Sequence, residues 1–420
     1  MMPAFRKETL DNGLTLVMEN HPHVRGLSVG LWVKVGSGLE NPARNGISHF
    51  TEHMVFKGTD TRSPLEIAAY LESLGGELNA FTEREYTCYH ATVLKEHLEP
   101  ALEILSDIVI HPTFPKAEIE REKKVLLQEM AMAEETPEDW ILTLLLKTVW
   151  ASEPMGMPIL GTRKTVQSIT RRHLNAFFDE HYRPENMVMS VAGNLNFSEV
   201  RERVEHHMRN TRKQTRSPLQ KRPACYRARR RTQVMDTDQL HLMLGFESVG
   251  LRSPQRFEAL LLSMYLGGGM SSRLFQEVRE KAALAYSVDC DSLTYTDEGL
   301  LTFYVAMGHR SLKKCLGIIG HEIERLTNEN LPESVLQALK GQIRGMLLLS
   351  ADQMEHRQES IGRNEILFGR YIPIEESIEA IEAVSAAQIR RFAGEIFRKE
   401  KESAVTLAKN RYKSSELTLF

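Results

Sequence analysis

Residues 49 to 53 read His49-Phe50-Thr51-Glu52-His53. On a helix, His49 and His53 stand one turn apart on one face, because residues i and i+4 share a side. Two neutral imidazoles so placed can hold one zinc ion at about 2.0–2.1 Å each. Glu52 lies one turn from His49 and beside His53, so it can reach a metal-bound water without being a ligand. Zinc lowers the pKa of such a water toward about 7, and a nearby carboxylate can accept its proton. In a chain of 420 residues with 15 histidines, the His-x-x-acid-His pattern should arise by chance roughly 0.07 times. That rarity weighs against two unrelated surface histidines.

A catalytic zinc site needs a third protein ligand and one open position. The long helix expected from Lys116 offers Glu118, Glu122 and Glu129. Glu122 and Glu129 share a face, being seven residues apart. Glu129 sits among Val125, Leu126, Leu127 and Met130, an apolar setting where an unpaired carboxylate would be costly. Glu129 is therefore taken as the third ligand. Glu122 could orient a ligating histidine from behind.

Several classes are excluded by composition. Apolar residues make up 42% and charged residues 26%, ordinary for a globular chain. The formal charge of −3 argues against a polyanion binder, so no nucleic-acid partner is expected. No apolar run approaches the roughly 18 residues a spanning helix needs, so no membrane span is expected. Met1 to Gly13 carries neither an apolar h-region nor an Arg/Ser-rich amphipathic stretch. The four scattered cysteines do not make a disulfide framework. A cytoplasmic setting is the resulting expectation.

Between Arg209 and Arg231 lie ten basic residues, no acidic ones, and two prolines. This reads as an exposed connector (209–231) between domains 1–208 and 232–420. The halves repeat one order of elements. Strands Leu27–Val35 and Leu240–Phe246 each lead to a helix, near His49 and from Phe257. Strand pairs follow over Glu77–Val93 and Ala285–Ala306. Amphipathic helices come next, Leu98–Val109 and Leu312–Leu326, then long helices, Lys116–Glu135 and Glu333–Gln353. Each half closes on a helix and a strand, Arg171–Ala192 and Ala387–Leu407. Such an internal duplication predicts two α+β domains, each a mainly antiparallel sheet packed with helices. Ser63-Pro64-Leu65-Glu66 reads as a capping box, and Leu65, Ala68, Ala69, Leu71 and Leu74 as the buried stripe of the helix it starts. Gly267-Gly268-Gly269-Met270-Ser271-Ser272 is not a phosphate loop, since no Gly-Lys-Ser/Thr follows.

The His-x-x-Glu-His order is the inverted zincin motif. Its wider text, Gly46-Ile47-Ser48-His49-Phe50-Thr51-Glu52-His53-Met54-Val55-Phe56-Lys57-Gly58-Thr59, resembles the M16 peptidases, the relatives of insulin-degrading enzyme, pitrilysin and mitochondrial processing peptidase. The resemblance covers essentially the whole chain, and its length resembles the short, processing-peptidase-like branch. It implies zinc, one ion per chain, on His49, His53 and Glu129, with Glu122 as the family's accessory glutamate. Gly75-Gly76-Glu77-Leu78-Asn79-Ala80-Phe81-Thr82 resembles the family's edge strand, where Asn79, Ala80, Phe81 and Thr82 would pair with an extended peptide. Arg279 and Tyr286 match an Arg/Tyr pair thought to bind substrate carbonyl oxygens, both being donors suited to a developing oxyanion. The second half carries no His-x-x-Glu-His, as in the family's catalytically silent half.

The function implied is a zinc metalloendopeptidase acting on extended peptides or unfolded segments, with Glu52 as general base and acid. The resemblance further implies that the chain forms one half of a clamshell, completed as a homodimer or as a heterodimer with a homologous chain. Arg279 and Tyr286 would then act in trans. The alternative is a non-catalytic or partner-dependent processing or assembly subunit. The complete set of His49, Glu52, His53 and Glu129 favours the enzyme.

Overall fold

In Leu27-Ser28-Val29-Gly30-Leu31-Trp32-Val33 one side of a strand's pleat is wholly apolar and the other, Ser28, Gly30 and Trp32, is uncharged, which suits a strand covered on both faces. In the computed structural model, which describes residues 4–151, 153–209, 211 and 224–420, this run is the middle of a six-stranded sheet. Its strands are β1 (Ala4–Thr9), β2 (Thr15–Asn20), β3 (Gly26–Val33), β4 (Glu77–Thr82), β5 (Thr87–Leu94) and β6 (Met187–Gly193), in the order β1-β2-β6-β3-β5-β4. A second sheet holds β7 (Arg230–Val234), β8 (Leu240–Val249), β9 (Ala285–Thr294), β10 (Glu298–Met307) and β11 (Glu402–Ala408), in the order β7-β11-β8-β10-β9. Matching β7, β11, β8, β10 and β9 to β2, β6, β3, β5 and β4 makes the two orders the same, apart from the extra edge strand β1. The parallel pairs also correspond, β2 with β6 and β7 with β11; the other pairings are antiparallel. The duplication read from element order is thus one sheet topology built twice. Most of the expected connector, residues 212–223, lies outside the described residues.

The first helices are α1 (Ile47–Val55), α2 (Pro64–Glu72), α3 (Leu98–Ile110), α4 (Lys116–Glu135) and α5 (Pro137–Val149). Side chains of α1, α3 and one face of the first sheet share one core, with Phe50, Met54, Leu102, Leu105, Leu31 and Val33 among its members. The capping box at Ser63 and Glu66 is present. The stripe expected on α2 is buried only in part. Leu71 is buried and Leu74 packs on the core, whereas Leu65 is 78% exposed, Ala68 and Ala69 are exposed too, and Ile67, outside the expected stripe, is buried. Ile67 and Leu71, four residues apart, share the face turned to the core, and Leu65, two residues from Ile67, points away from it. Among the described residues no helix is long and apolar enough to cross a membrane.

The chain divides into two compact units that are not consecutive stretches. One comprises Met1–Met130, Met157–Lys221 and Leu347–Ile372; the other comprises Ala131–Gly156, Arg222–Met346 and Pro373–Phe420. Each sheet therefore takes a helix from the far half of the sequence, which a single division at 209–231 leaves out. In the second unit, Ile141, Leu144, Leu145 and Val149 of α5 pack on Met243, Leu300, Val405 and Leu407. In the first, the Met354–Phe368 helix lies on β2, β3 and β6. The approach is close: a Cβ on Gly362 would sit 2.2 Å from Trp32 Nε1. Polar groups fill the contact. Trp32 Nε1 and Gln358 Nε2 both donate to Ser190 Oγ, at 2.8 and 2.6 Å. Arg357 grips Glu19 of β2 with two N–H groups, at 2.8 and 2.5 Å.

Candidate active site

Gly46 precedes α1 at φ 93°, and a Cβ there would lie 2.8 Å from Gly161 Cα, so the position needs glycine. No side chain caps the helix from that position. The buried carboxylate of Glu40 does so from a distance, accepting the N–H groups of Gly46 and Ser48, both at 2.7 Å, and Asn45 Nδ2 at 2.9 Å. A negative group at a helix N-terminus is favourable, and here it fixes the helix that carries the motif. Sequence reading passed over Glu40; its signal was an acidic residue shortly before a helix that starts on glycine.

On α1, the His49 and His53 rings lie with centroids 4.6 Å apart. Glu129 comes in from α4, its carboxylate oxygens 3.6 Å from His49 Nε2 and 3.8 Å from His53 Nε2. These three supply donor atoms all within 4.8 Å of one another, and they form the one candidate metal cluster among the described residues. Tetrahedral zinc with ligands at about 2.0–2.1 Å would hold its donor atoms about 3.3 Å apart. The donor types and spacings therefore fit one zinc ion with little movement. Burial, with the neighbouring His53 second, lowers the His49 pKa to about 3, so the imidazole is neutral and its lone pair available. Glu129 departs from expectation in one respect: its side chain is 41% exposed, not enclosed. Burial still raises its pKa.

Glu122 stands behind the cluster. It faces His53 Nδ1 at 3.1 Å and Lys57 Nζ at 2.8 Å. Burial works to raise the Glu122 carboxyl, and these two partners together outweigh it, holding it below its ordinary range. Lys57 was the missed member; it lies two residues past the end of α1, where no helical spacing marks it. Glu122 leaves Nε2 of His53 as the atom turned to Glu129. Replacing Glu122 by Gln should weaken zinc binding about 10- to 100-fold, measured by competition with a chromophoric chelator.

Glu52 is buried beside the cluster. Its Oε2 accepts a hydrogen bond from the Thr82 hydroxyl at the end of β4. Burial raises its pKa, against the hydrogen bond from Thr82 and the charge of His53. A carboxylate raised in this way is a better proton acceptor near neutral pH. β4 is a sheet edge, paired with β5 on one side only. Asn79 is exposed and its Oδ1 accepts the Ala80 N–H at 2.9 Å. Phe81 packs on Trp32, Tyr86 and His90.

Arg279 and Tyr286 belong to the second unit, and the structure brings them together. Arg279 lies in a π-helical stretch, Phe275–Lys281, with its guanidinium 4.5 Å from the Tyr286 ring centre and 4.6 Å from that of Phe275. Tyr286, at the start of β9, is 72% exposed. The glycine run before them has a packing role: a Cβ on Gly267 would lie 2.0 Å from Cys290 N of β9.

Residues 15–163 match the insulinase family, Peptidase family M16, and residues 168–343 match the Peptidase M16 inactive domain. A Bacillus subtilis protein described as an uncharacterized zinc protease is 37% identical, over 93% of this chain and 95% of its own. The chain belongs to peptidase family M16. Its length and its two M16 domains place it with such short relatives. Another, an uncharacterized zinc protease of Mycobacterium leprae, is 35% identical over 95% of this chain and 91% of that one. The fold is shared with a protease from Helicobacter pylori, at a TM-score of 0.91 and 21% identity over 97% of this chain and all of that one.

Proposed function

We propose that this chain is a zinc-dependent endopeptidase that hydrolyses extended peptides or unfolded segments. The observation that carries the reading is the convergence of His49, His53 and Glu129 from two helices, with buried Glu52 alongside. His49 and His53 would bind the ion through Nε2 and Glu129 through its carboxylate, one ion per chain. When bound there, zinc supplies Lewis acidity, lowering the pKa of a coordinated water toward about 7 and polarising a carbonyl. Glu52 then does the proton work. Thr82 occupies its Oε2, so Oε1 takes the proton from the attacking water and returns it to the leaving amine.

The open edge of β4 suits an extended chain, since backbone pairing there adds a strand to the sheet. An incoming strand would replace the bond by which Asn79 covers the Ala80 N–H. Arg279 and Tyr286 are assigned to substrate carbonyls, as donors that strengthen on a developing oxyanion. Their supply by a partner chain, in a homodimer or a heterodimer with a homologous chain, belongs to the same proposal and follows the M16 resemblance.

Removal of metal with a chelator should abolish cleavage of a quenched fluorescent peptide library, and one equivalent of zinc should restore it. Cleavage that persists with metal content at zero would refute the reading.

A further inference from the structure

The bond between Thr82 and Glu52 joins two parts of the site that come from different elements. Thr82 closes β4, the edge strand; Glu52 is on α1, thirty residues earlier in the chain. Thr82 is itself held firmly. It is buried, its backbone pairs with Thr87 in β5, and the Thr87 hydroxyl donates to Val35 O at 2.9 Å. On a strand, alternate residues share a face. Leu78 and Ala80, on the Thr82 side, pack against the core that includes Phe50 and Met54 of α1. The strand therefore has a fixed distance from the helix, and a β-branched side chain has few χ1 choices with which to move its hydroxyl.

For packing and strand propensity alone, valine would serve at this position as well as threonine. What threonine adds is a donor aimed at Glu52. We infer that Thr82 is a positioning residue: its hydroxyl locks one oxygen of the Glu52 carboxylate and leaves the other turned to the His49, His53 and Glu129 cluster. The consequence for rate rests on the function proposed above, whereas the bond itself does not. The strand that receives the peptide and the base that acts on it are thereby held in one register. Displacement of a catalytic group by about 1 Å can cost on the order of 100-fold in rate.

The test uses the full chain as wild type, Thr82→Val, Thr82→Ser and Glu52→Gln. In metal-free protein, the infrared carboxyl band that vanishes in Glu52→Gln identifies Glu52. That band should shift in Thr82→Val and return to its wild-type position in Thr82→Ser. In zinc-loaded protein, Thr82→Val should lower kcat about 10- to 100-fold, with KM and zinc content unchanged, and Thr82→Ser should recover most of it. A Glu52 band unmoved in Thr82→Val would overturn the inference, and so would a wild-type kcat in that variant. An equal loss in Thr82→Ser would overturn it too, by making the defect one of packing. Absence of cleavage by the wild type would count against the proposed function instead, and the infrared comparison would still decide whether Thr82 holds Glu52.

Discussion

Glu52→Gln is expected to leave the chain folded and able to take up one zinc ion while lowering peptide hydrolysis about 100- to 10,000-fold, the range for loss of a positioned proton-transfer group. The substitution is nearly isosteric, and the amide oxygen can still accept from Thr82, so packing around α1 is kept. His49, His53 and Glu129 are untouched, which is why metal content should not change. What disappears is the acceptor at Oε1. Parallel measurement of zinc per chain and of cleavage rate separates the two roles. Retained activity in a zinc-loaded Glu52→Gln protein would remove Glu52 from the reaction.

The largest stability effect is expected at the buried pair between Glu19 and Arg357. Both side chains are almost wholly buried, and the guanidinium contacts both carboxylate oxygens. Burial works to raise the Glu19 pKa, but hydrogen bonds and charge from His21 and Arg357 prevail and hold it at about 2, against an ordinary 4.5. Arg357→Met keeps the aliphatic stem and leaves the buried carboxylate with His21 as its remaining partner, at a cost of about 3–5 kcal/mol, measured by chemical denaturation. The pH dependence follows from the direction of the shift. A carboxyl depressed in the folded state stabilises above its unfolded value, and the contribution is lost as pH falls through the folded value. The deficit of Arg357→Met should therefore be full at pH 7 and shrink as pH drops from about 4.5 toward 2. A deficit that does not vary with pH would mean the pair contributes packing only.

Much of this architecture can be read without coordinates, because most elements bury apolar side chains at regular spacing. α4 runs from Lys116 to Glu135, the bounds its pattern suggests, and the strand pairs before each amphipathic helix are equally plain. The Met354–Phe368 helix escapes such a reading for a physical reason. The residues it buries include Arg357, Gln358, Gly362 and Glu365, so it docks through ion pairs, an amide and a bare glycine. Beside these it fully buries only Ile361 and Leu367, too few to give a clear hydrophobic periodicity. The same limit applies within the site. His49, Glu52 and His53 are local on one helix, and their spacing alone marks them as candidates. The place of Glu129 depends on how α4 lies against α1, and the apolar neighbours that single it out along the sequence do not enclose it in space. Glu40 and Lys57 act through contacts with groups on or beside α1, and no motif marks them. Thr82 was legible as part of a candidate peptide-binding strand, but its bond to Glu52 exists only once β4 and α1 are packed.

Anomalous diffraction at the zinc edge, from crystals of the wild-type chain grown with one equivalent of zinc, would locate the ion directly. One strong peak per chain is expected, about 2.0–2.1 Å from a ring nitrogen of His49 and of His53 and within bonding distance of the Glu129 carboxylate. Zinc bound elsewhere in the chain, or no ordered peak at this cluster, would contradict it.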